Sequence, residues 1–391
     1  MQLYLFPHLT DAPVISALLD LREGEGPAPG LHAGLLDFAC RRGCTRETLR
    51  EYVVCRLIDT RPACWQRTAM LPYLVADTER LYDTLFTPDW DAACAEAGLL
   101  PLPRLMGGAV AAEPAYRALM AGMVHAGSPA AFCGQLAGFF DAYQSGGEAM
   151  YRAFRWDGAL RDIPHPAPTT FDDLRGLEHQ KATLIDNTRA FMSGRPANNV
   201  LLVGGSGTGK SSCVKAALNH FADEGLKLVE FAHADLGRLP ELMAELATSC
   251  QRYIVFIDDL SFEGSAPRYL ALKTALDGQM AERPANVLIY ATSNRRHLVR
   301  ETWKDRAEEE DIHQNDTVHE KLSLSERFGI RLYFAILSAG EYLDIVHMLL
   351  TRSGVTADDE TDRQALVWAA ENSGRSGRTA QQFAVHYLGT L

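Results

Sequence analysis

One stretch decides the fold of this chain: Asn199-Val200-Leu201-Leu202-Val203-Gly204-Gly205-Ser206-Gly207-Thr208-Gly209-Lys210-Ser211-Ser212. A mainly apolar run leads into a glycine-rich run that ends in Lys-Ser, which is the pattern of a phosphate-binding P-loop between a strand and a helix. The glycines let the backbone N–H groups turn inward at the start of a helix, whose dipole favours an anion. We therefore predict that residues 204–212 bind the phosphates of a nucleoside triphosphate.

Two side chains of this loop have specific expected roles. Lys210 is expected to reach the β- and γ-phosphates, and the hydroxyl of Ser211 is expected to hold Mg²⁺. The alternative is a Gly/Ser-rich turn that binds nothing, which the eight-residue match from Gly204 to Ser211 and its flanks disfavour.

Length and charge limit the classes of protein to consider. A chain of 391 residues is expected to form two or three domains. The net charge of −12 argues against a nucleic-acid partner, although it leaves a local basic face open. The N-terminus lacks the pattern of a secretory signal, and no uncharged stretch is long enough to span a bilayer, so we expect a cytoplasmic protein without membrane contact.

Cysteine spacing gives little support for a metal site. The eight cysteines are scattered, and Cys40 and Cys44 lie one helical turn apart without a second pair or a nearby histidine cluster. This pattern indicates reduced and mostly buried thiols.

Apolar spacing indicates four regions along the chain. Helix-like spacing at 46–57, 76–86 and 114–125 predicts an α-helical N-terminal domain over residues 1–162. A proline-rich stretch, 163–170, is typical of an extended linker. In 171–338, helical patterns alternate with continuous apolar runs, as in strands buried on both faces of a parallel sheet, and 339–391 returns to helical spacing. We predict an α/β core with a five-stranded parallel sheet (199–203, 227–231, 252–258, 287–293 and 330–335) and a C-terminal helical lid.

Acidic and amide side chains follow two of these strands. Asp258 and Asp259 end one strand, where a P-loop protein places the acid that organises Mg²⁺. We assign Asp258 to the metal and Asp259 to the attacking water, with Glu263 as a second candidate for the water; helix capping is the alternative for these acids. Asn294 follows the next strand and is expected to sense the γ-phosphate.

Together these motifs resemble the AAA+ ATPases over residues 171–391. The P-loop corresponds to Walker A, 256–259 to Walker B and Asn294 to sensor 1, and a helical lid follows. Segments 256–263, 291–298 and 321–329 resemble more closely an uncharacterised bacterial family of AAA+-type ATP-binding proteins with an N-terminal extension. The resemblance implies ATP and Mg²⁺ as ligands and assembly into a homo-oligomer.

The resemblance also implies roles for residues outside the P-loop. Leu174 and Gly176 correspond to the segment that packs on adenine, although a domain-entry turn is the alternative. Arg327 matches an arginine finger offered in trans to a neighbouring subunit, where it would stabilise the charge of the transferring phosphoryl group. Arg378 matches sensor 2, with Arg375 as a near competitor; for each arginine the alternative is an ordinary solvated surface side chain.

One position departs from the AAA+ pattern. The residue after the Mg²⁺ acid is usually Glu, whereas here it is Asp259, which is one methylene shorter. Either hydrolysis is slow or Glu263 substitutes for the missing glutamate. A slow site suits a nucleotide-timed switch better than a processive motor.

Three functional hypotheses follow from the sequence. The first is an ATP-hydrolysing AAA+ protein that remodels or regulates a macromolecular partner, expected to be a protein, held by the N-terminal domain. The second is a slow ATP-gated binding switch that resembles initiators or helicase loaders, for which Arg295 and Arg296 are thin support for DNA. The third, a small-molecule kinase, leaves Asn294, Arg327 and the lid without a role. Ring size, the choice between ATP and GTP, and the partner stay open.

Overall fold

The computed structural model describes residues 1–24, 30–42, 48–62, 65–103, 112–260, 272–276, 284–294, 326–372 and 374–390. The chain divides into two compact units, Met1–Arg152 and Ala153–Leu391. Among the described helices, none combines the length and the apolar character needed to cross a membrane.

The first unit is built from helices around one apolar core. The core gathers buried leucines, valines and aromatic side chains, including Phe132, Phe139 and Phe140. Helix starts follow the capping rules, since Ser128 accepts a hydrogen bond from the N–H of Ala131 at the start of the seventh helix. Each predicted helical stretch contains a helix, and the fourth helix continues into a π-helical turn, Tyr82–Phe86. The described helices are α1 (Pro13–Glu23), α2 (Leu31–Arg42), α3 (Thr48–Asp59), α4 (Arg67–Leu81), α5 (Trp90–Glu96), α6 (Pro114–Val124), α7 (Pro129–Ala142) and α8 (Gly146–Met150).

The second unit contains a seven-stranded sheet in the order β2-β1-β4-β5-β6-β3-β7. Its pairings are parallel except for the antiparallel pair β1–β2. Two of the inner strands, Val200–Gly204 and Val287–Ser293, are buried along their whole length, as parallel strands covered on both faces must be. The strands are β1 (Ala153–Trp156), β2 (Leu160–Asp162), β3 (Val200–Gly204), β4 (Leu226–Phe231), β5 (Arg252–Ile257), β6 (Val287–Ser293) and β7 (Ile330–Phe334).

The α/β class and the five parallel strands that the sequence predicts are confirmed, but the sheet has two further strands. β1 and β2 lie within residues 1–162, for which the sequence predicts a helical domain. β1 pairs with β4 from Ala153 to Trp156, so these residues belong to the second unit. A four-residue strand and a three-residue strand are too short to show a clear apolar period, which is why the sequence did not reveal them.

The proline-rich stretch 163–170 also lies inside the second unit and does not separate the two units. It has no regular secondary structure. The Nδ2 of Asn219 donates to the carbonyls of Ala167 and Thr169, at 2.9 and 2.7 Å, which fixes the stretch against the helix that follows the P-loop. The prolines therefore mark an extended segment packed on the core.

Helices cover the sheet and form the lid. The last three helices have an apolar core of their own around Tyr342, Val346 and Phe383. The first of them begins with a reciprocal capping box between Ser338 and Glu341. The six helices with assigned bounds in this unit are α9 (Glu178–Met192), α10 (Lys210–His220), α11 (Leu239–Ala247), α12 (Ala339–Arg352), α13 (Asp359–Glu371) and α14 (Gly377–Leu388).

The strand register brings the predicted site residues to one edge of the sheet. Val203 on β3 pairs with Ser293 on β6, and Ile257 on β5 pairs with Ala291 on β6. Because these strands are parallel, the P-loop, the two aspartates after β5 and Asn294 after β6 leave the sheet at neighbouring points.

Candidate functional site

The P-loop connects the end of β3 to the start of α10. Gly207 and Gly209 have left-handed φ angles of 76° and 97°, which allow successive main-chain N–H groups to face one concavity. The hydroxyl of Thr208 donates to the carbonyl of Gly205 at 2.8 Å and closes the loop. At Gly204, a Cβ would lie 2.4 Å from the carbonyl oxygen of Phe334, so the close approach of β3 and β7 requires glycine. The loop has the conformation that an anion-binding cradle needs.

The amine of Lys210 lies at the centre of the site and is 5% exposed. Its Nζ donates to the carbonyls of Gly204 and Gly205, at 2.8 and 2.7 Å, and to Oδ1 of Asn294, at 2.9 Å. Burial lowers the pKa of Lys210, and the nearby charges of Asp258 and Asp259 oppose this shift. The side chain is thus a positive charge taken out of water and held next to the loop.

Asp258 and Asp259 directly follow β5 and lie beside Lys210. Both form hydrogen bonds with Thr292 on β6. Oδ1 of Asp258 accepts from the Ser211 hydroxyl at 2.7 Å and from the Thr292 hydroxyl at 2.5 Å. The N–H of Asp259 donates to Oγ1 of Thr292 at 2.9 Å, and its Oδ1 accepts from Nδ2 of Asn294 at 2.6 Å. Asp259 also has a left-handed φ of 54°, which is uncommon for a residue other than glycine.

These contacts form one continuous network. It runs from Ser211 through Asp258 and Thr292 to Asp259, and from there through Asn294 to Lys210. The structure therefore brings together the predicted loop lysine, metal residues, water-activating acid and sensor. Sequence reasoning missed Thr292, although it lies on β6 two residues before Asn294, a spacing that puts two side chains on the same side of an extended chain.

The network lies on the wall of a cavity of about 860 Å³. This volume is within the range of small-molecule sites, which is roughly 300–1,000 Å³. P-loop residues 206–212 line the cavity together with Asp258, Asp259, Asn294 and residues of the lid. Leu174 also lines it, whereas Gly176 is not among the lining residues and lies between two that are, Arg175 and Leu177.

Gly176 has a structural requirement of its own. Its φ is 70°, and a Cβ there would lie 2.7 Å from Oε1 of Glu341 in the lid. The residue thus allows the turn before the P-loop to approach α12 closely.

The three candidate arginines differ in position. Arg378 lines the cavity, with Nη1 3.5 Å from Oγ of Ser206. Arg375 is exposed and is not a lining residue. Arg327 is half-buried three residues before β7 and does not line the cavity of its own chain. Three further residues that the sequence analysis named lie outside the described residues: Glu263, Arg295 and Arg296.

The lid touches the P-loop and the segment before it. The N–H of Gly377 donates to the carbonyl of Gly207 at 3.0 Å. Nη2 of Arg352, at the end of α12, lies 2.6 Å from Oδ1 of Asp173. Both members of this ion pair line the cavity, and neither was singled out from the sequence. These contacts close the cavity on the side of the lid.

The donor set at Ser211 and Asp258 suits Mg²⁺. A hydroxyl oxygen and a carboxylate oxygen lie 2.7 Å apart, and Mg²⁺ prefers oxygen ligands and keeps several waters, so two protein oxygens are enough. In the described part of the chain, no group of three or more His, Cys, Asp or Glu residues offers a separate metal site. Cys40 is a free thiol, and Cys44 lies outside the described residues.

The chain belongs to a family described as "Protein of unknown function (DUF815)", whose model matches residues 149–391. This match covers the whole of the unit that carries the site, Ala153–Leu391. No curated protein matches the chain.

Two solved structures share a distant likeness with the chain. The chain is similar to the RuvB Holliday junction branch migration motor of Thermotoga maritima, with 17% identity, a TM-score of 0.35, and coverage of 55% of this chain and 71% of that one. It is also similar to the Orc1 protein of Aeropyrum pernix in complex with DNA, with 14% identity, a TM-score of 0.39, and coverage of 54% and 59%. A likeness this distant transfers no activity to the chain.

Proposed function

We propose that this member of the DUF815 family binds and hydrolyses ATP with Mg²⁺ and couples the nucleotide state to the remodelling or regulation of a macromolecular partner. The observation that carries the proposal is the continuous network of Lys210, Asn294, the two aspartates and Ser211 on the wall of the 860 Å³ cavity. A structural turn would not need a buried lysine and two acids at one point.

The P-loop would hold the nucleotide by its phosphates. Its main-chain N–H groups and the amine of Lys210 match the negative charge of the β- and γ-phosphates. Ser211 and Asp258 would hold Mg²⁺, which neutralises charge on the phosphate oxygens. Leu174, on the cavity wall, supplies apolar surface for the base.

Asp259 and Asn294 would act on the attacking water. Hydrolysis of a phosphoanhydride depends on positioning and charge control more than on covalent chemistry. The carboxylate of Asp259 would accept a hydrogen bond from the water, while Asn294, 2.6 Å from that carboxylate, fixes its orientation. Arg378, on the lid side, would stabilise charge on the transferring group.

We propose that the lid transmits conformational changes at the nucleotide site to the rest of the protein. Gly377 bonds directly to the P-loop carbonyl of Gly207, so a change in the loop alters a lid contact. We propose that the protein assembles into a homo-oligomer in which Arg327 serves a neighbouring subunit's site, and that the helical unit Met1–Arg152 holds the partner.

A slow ATP-gated switch is the second candidate function. It is favoured by Asp259, whose carboxylate is one methylene shorter than that of glutamate and is already bonded to Asn294. In this case, ATP binding alone would change the affinity for a partner.

The deciding experiment measures Mg·ATP hydrolysis, ATP affinity and particle mass for wild type, Asp259→Asn and Lys210→Ala. We expect hydrolysis that rises with assembly, Asp259→Asn protein that binds ATP but turns it over much more slowly, and Lys210→Ala protein that neither binds nor hydrolyses ATP. Tight ATP binding with negligible turnover in wild type would favour the switch. Unchanged affinity and turnover in Lys210→Ala would overturn nucleotide binding at this loop.

A further inference from the structure

We propose that Thr292 is a positioning residue for hydrolysis, because its single hydroxyl sets the orientation of both Asp258 and Asp259. The inference rests on the proposed ATPase function and names a residue of that site that the P-loop, Walker and sensor motifs do not include. Thr292 would not touch the reacting atoms, since it acts through the two acids.

The hydroxyl of Thr292 uses both its donor and an acceptor position in the site. It donates to Oδ1 of Asp258 at 2.5 Å and accepts from the N–H of Asp259 at 2.9 Å. The main-chain carbonyl of Thr292 accepts from the N–H of Leu260 at 2.7 Å. One residue of β6 therefore holds three consecutive residues after β5.

Each of the two hydroxyl contacts fixes one of the two acids. Asp258 must present a carboxylate oxygen beside Ser211, and two donors to the same Oδ1 fix the plane of that carboxylate. Asp259 has a left-handed backbone, φ 54°, and the bond from its N–H to Thr292 helps to hold that conformation.

The environment of Thr292 makes these bonds strong. The residue is 1% exposed, so bulk water has little access to its hydroxyl. A hydrogen bond to a charged carboxylate is also stronger than one between neutral groups. Removing the hydroxyl while keeping the side-chain shape would leave the N–H of Asp259 and one oxygen of Asp258 without this partner.

The neighbouring Ser293 provides a matched control. It is also on β6 and fully buried, and its hydroxyl has no hydrogen-bond partner among the described residues. It is not among the residues that line the cavity. Ser293→Ala therefore removes a buried hydroxyl from the same strand without touching either acid.

The test compares Thr292→Val, Thr292→Ser and Ser293→Ala in the full chain, with Mg·ATP as the probe. We expect Thr292→Val to lower kcat about tenfold or more and to raise the Mg²⁺ concentration for half-maximal hydrolysis several-fold, with ATP affinity changed less than about twofold. Thr292→Ser should retain most of the activity, and Ser293→Ala should match wild type.

A double variant separates positioning from general stability. At a Mg²⁺ concentration that saturates both proteins, which removes the effect through the metal residue Asp258, adding Thr292→Val to Asp259→Asn should change the residual kcat by less than about twofold. A full additional loss in the double variant would indicate a merely structural role and overturn the proposal. Should Thr292→Val not fold, Thr292→Ala replaces it in the same comparison.

The result distinguishes this proposal from the proposed function. Wild-type protein without ATP binding or hydrolysis would overturn the function itself. Wild-type hydrolysis with an unchanged kcat and Mg²⁺ dependence in Thr292→Val would overturn the role of Thr292 alone.

Discussion

At the scale of single residues, the backbone of Asp259 suits an aspartate better than the glutamate that the AAA+ resemblance of the sequence would lead one to expect. The residue has a φ of 54°, a left-handed conformation that Asp and Asn tolerate better than longer side chains because their short polar group can bond locally. Its carboxylate bonds to Asn294 at 2.6 Å without needing the extra methylene. Backbone and side chain at this position therefore favour the shorter acid.

This geometry predicts the stability of two substitutions. Asp259→Glu should lower the free energy of unfolding by about 1 kcal/mol, because glutamate gains less from local bonding in the left-handed region. Asp259→Asn, the matched control, should change it by less than about 0.5 kcal/mol. Urea unfolding at neutral pH measures both values. Equal stability of the two variants would show that the backbone does not select the short side chain.

Asn294 could be predicted as a site residue from the sequence, whereas Thr292 could not. The P-loop and the paired acids carry their own motif, so their chemistry is visible along the chain. Thr292 is one polar residue in an apolar strand, and its role depends on its register opposite β5, which pairs Ile257 with Ala291. That register is a tertiary fact, and it becomes visible only when the strands are aligned.

At the scale of secondary-structure elements, the start of α14 packs directly on the P-loop. Gly207 has a φ of 76°, and a Cβ there would lie 2.8 Å from Oγ of Ser376 and 3.2 Å from Cβ of Arg378. The absent side chain thus permits both the loop conformation and the contact with the lid.

Gly207→Ala should weaken ATP binding about tenfold, because a left-handed alanine costs roughly 1–2 kcal/mol and its Cβ pushes the lid away. Gly237→Ala is the matched control, since nothing lies within 4 Å of a Cβ there and its φ is not left-handed. Titration with a fluorescent ATP analogue compares the two variants. Equal affinities would mean that the loop does not need glycine at this position.

The ion pair between Arg352 and Asp173 joins α12 to the segment before the P-loop. Burial alone would raise the pKa of Asp173, but hydrogen bonds from Thr170 and Arg352 outweigh it and lower the pKa below its usual value of 3.8. A lowered carboxyl pKa means that the stabilisation is present at neutral pH and is lost as the pH falls through the folded-state pKa.

Arg352→Gln should therefore lower stability at pH 7 by less than about 1 kcal/mol, because the arginine is 52% exposed. The difference in stability from wild type should shrink as the pH falls below about 4.

The Arg352→Gln variant should also release ATP about two- to fivefold faster, because both partners of the ion pair line the cavity. Arg363→Gln, which breaks an exposed pair with Glu360 elsewhere in the lid, is the control for stopped-flow release rates. Equal ATP release rates for the two variants would show that the Arg352–Asp173 ion pair does not help to retain ATP.

The sheet shows how far apolar patterns predict elements. β3, β5 and β6 are buried on nearly every residue, and such continuous apolar runs are visible in the sequence. β1 has only the residues Ala153–Trp156, and one of its positions is exposed. It becomes a strand because β4 pairs with it, so tertiary pairing decides its structure and local pattern does not.

At the scale of the whole molecule, the family match and the unit boundary nearly coincide. The family model begins at residue 149, and the second unit begins at Ala153. The helical residues before it lie outside the family match. This division separates the unit that carries the phosphate-binding loop from a helical unit that the family model does not cover.

Arg327 bears on how many chains form one site. It lies outside the set of residues that line its own chain's cavity, as expected of an arginine that acts on a neighbouring subunit's site. Arg327→Ala should then lower turnover strongly and leave ATP affinity nearly unchanged, because the guanidinium would act on the transferring group rather than on the bound ground state.

Mixing two inactive proteins tests this arrangement directly. Lys210→Ala subunits cannot bind ATP but still offer Arg327, whereas Arg327→Ala subunits bind ATP but offer no arginine. A site built from the P-loop of the second and the arginine of the first is intact, so the mixture should recover a measurable fraction of wild-type turnover. Size-exclusion chromatography with light scattering confirms that mixed assemblies form. Confirmed mixed assembly without recovered turnover would show that each subunit completes its own site, and Arg327 would then need a role within its own chain.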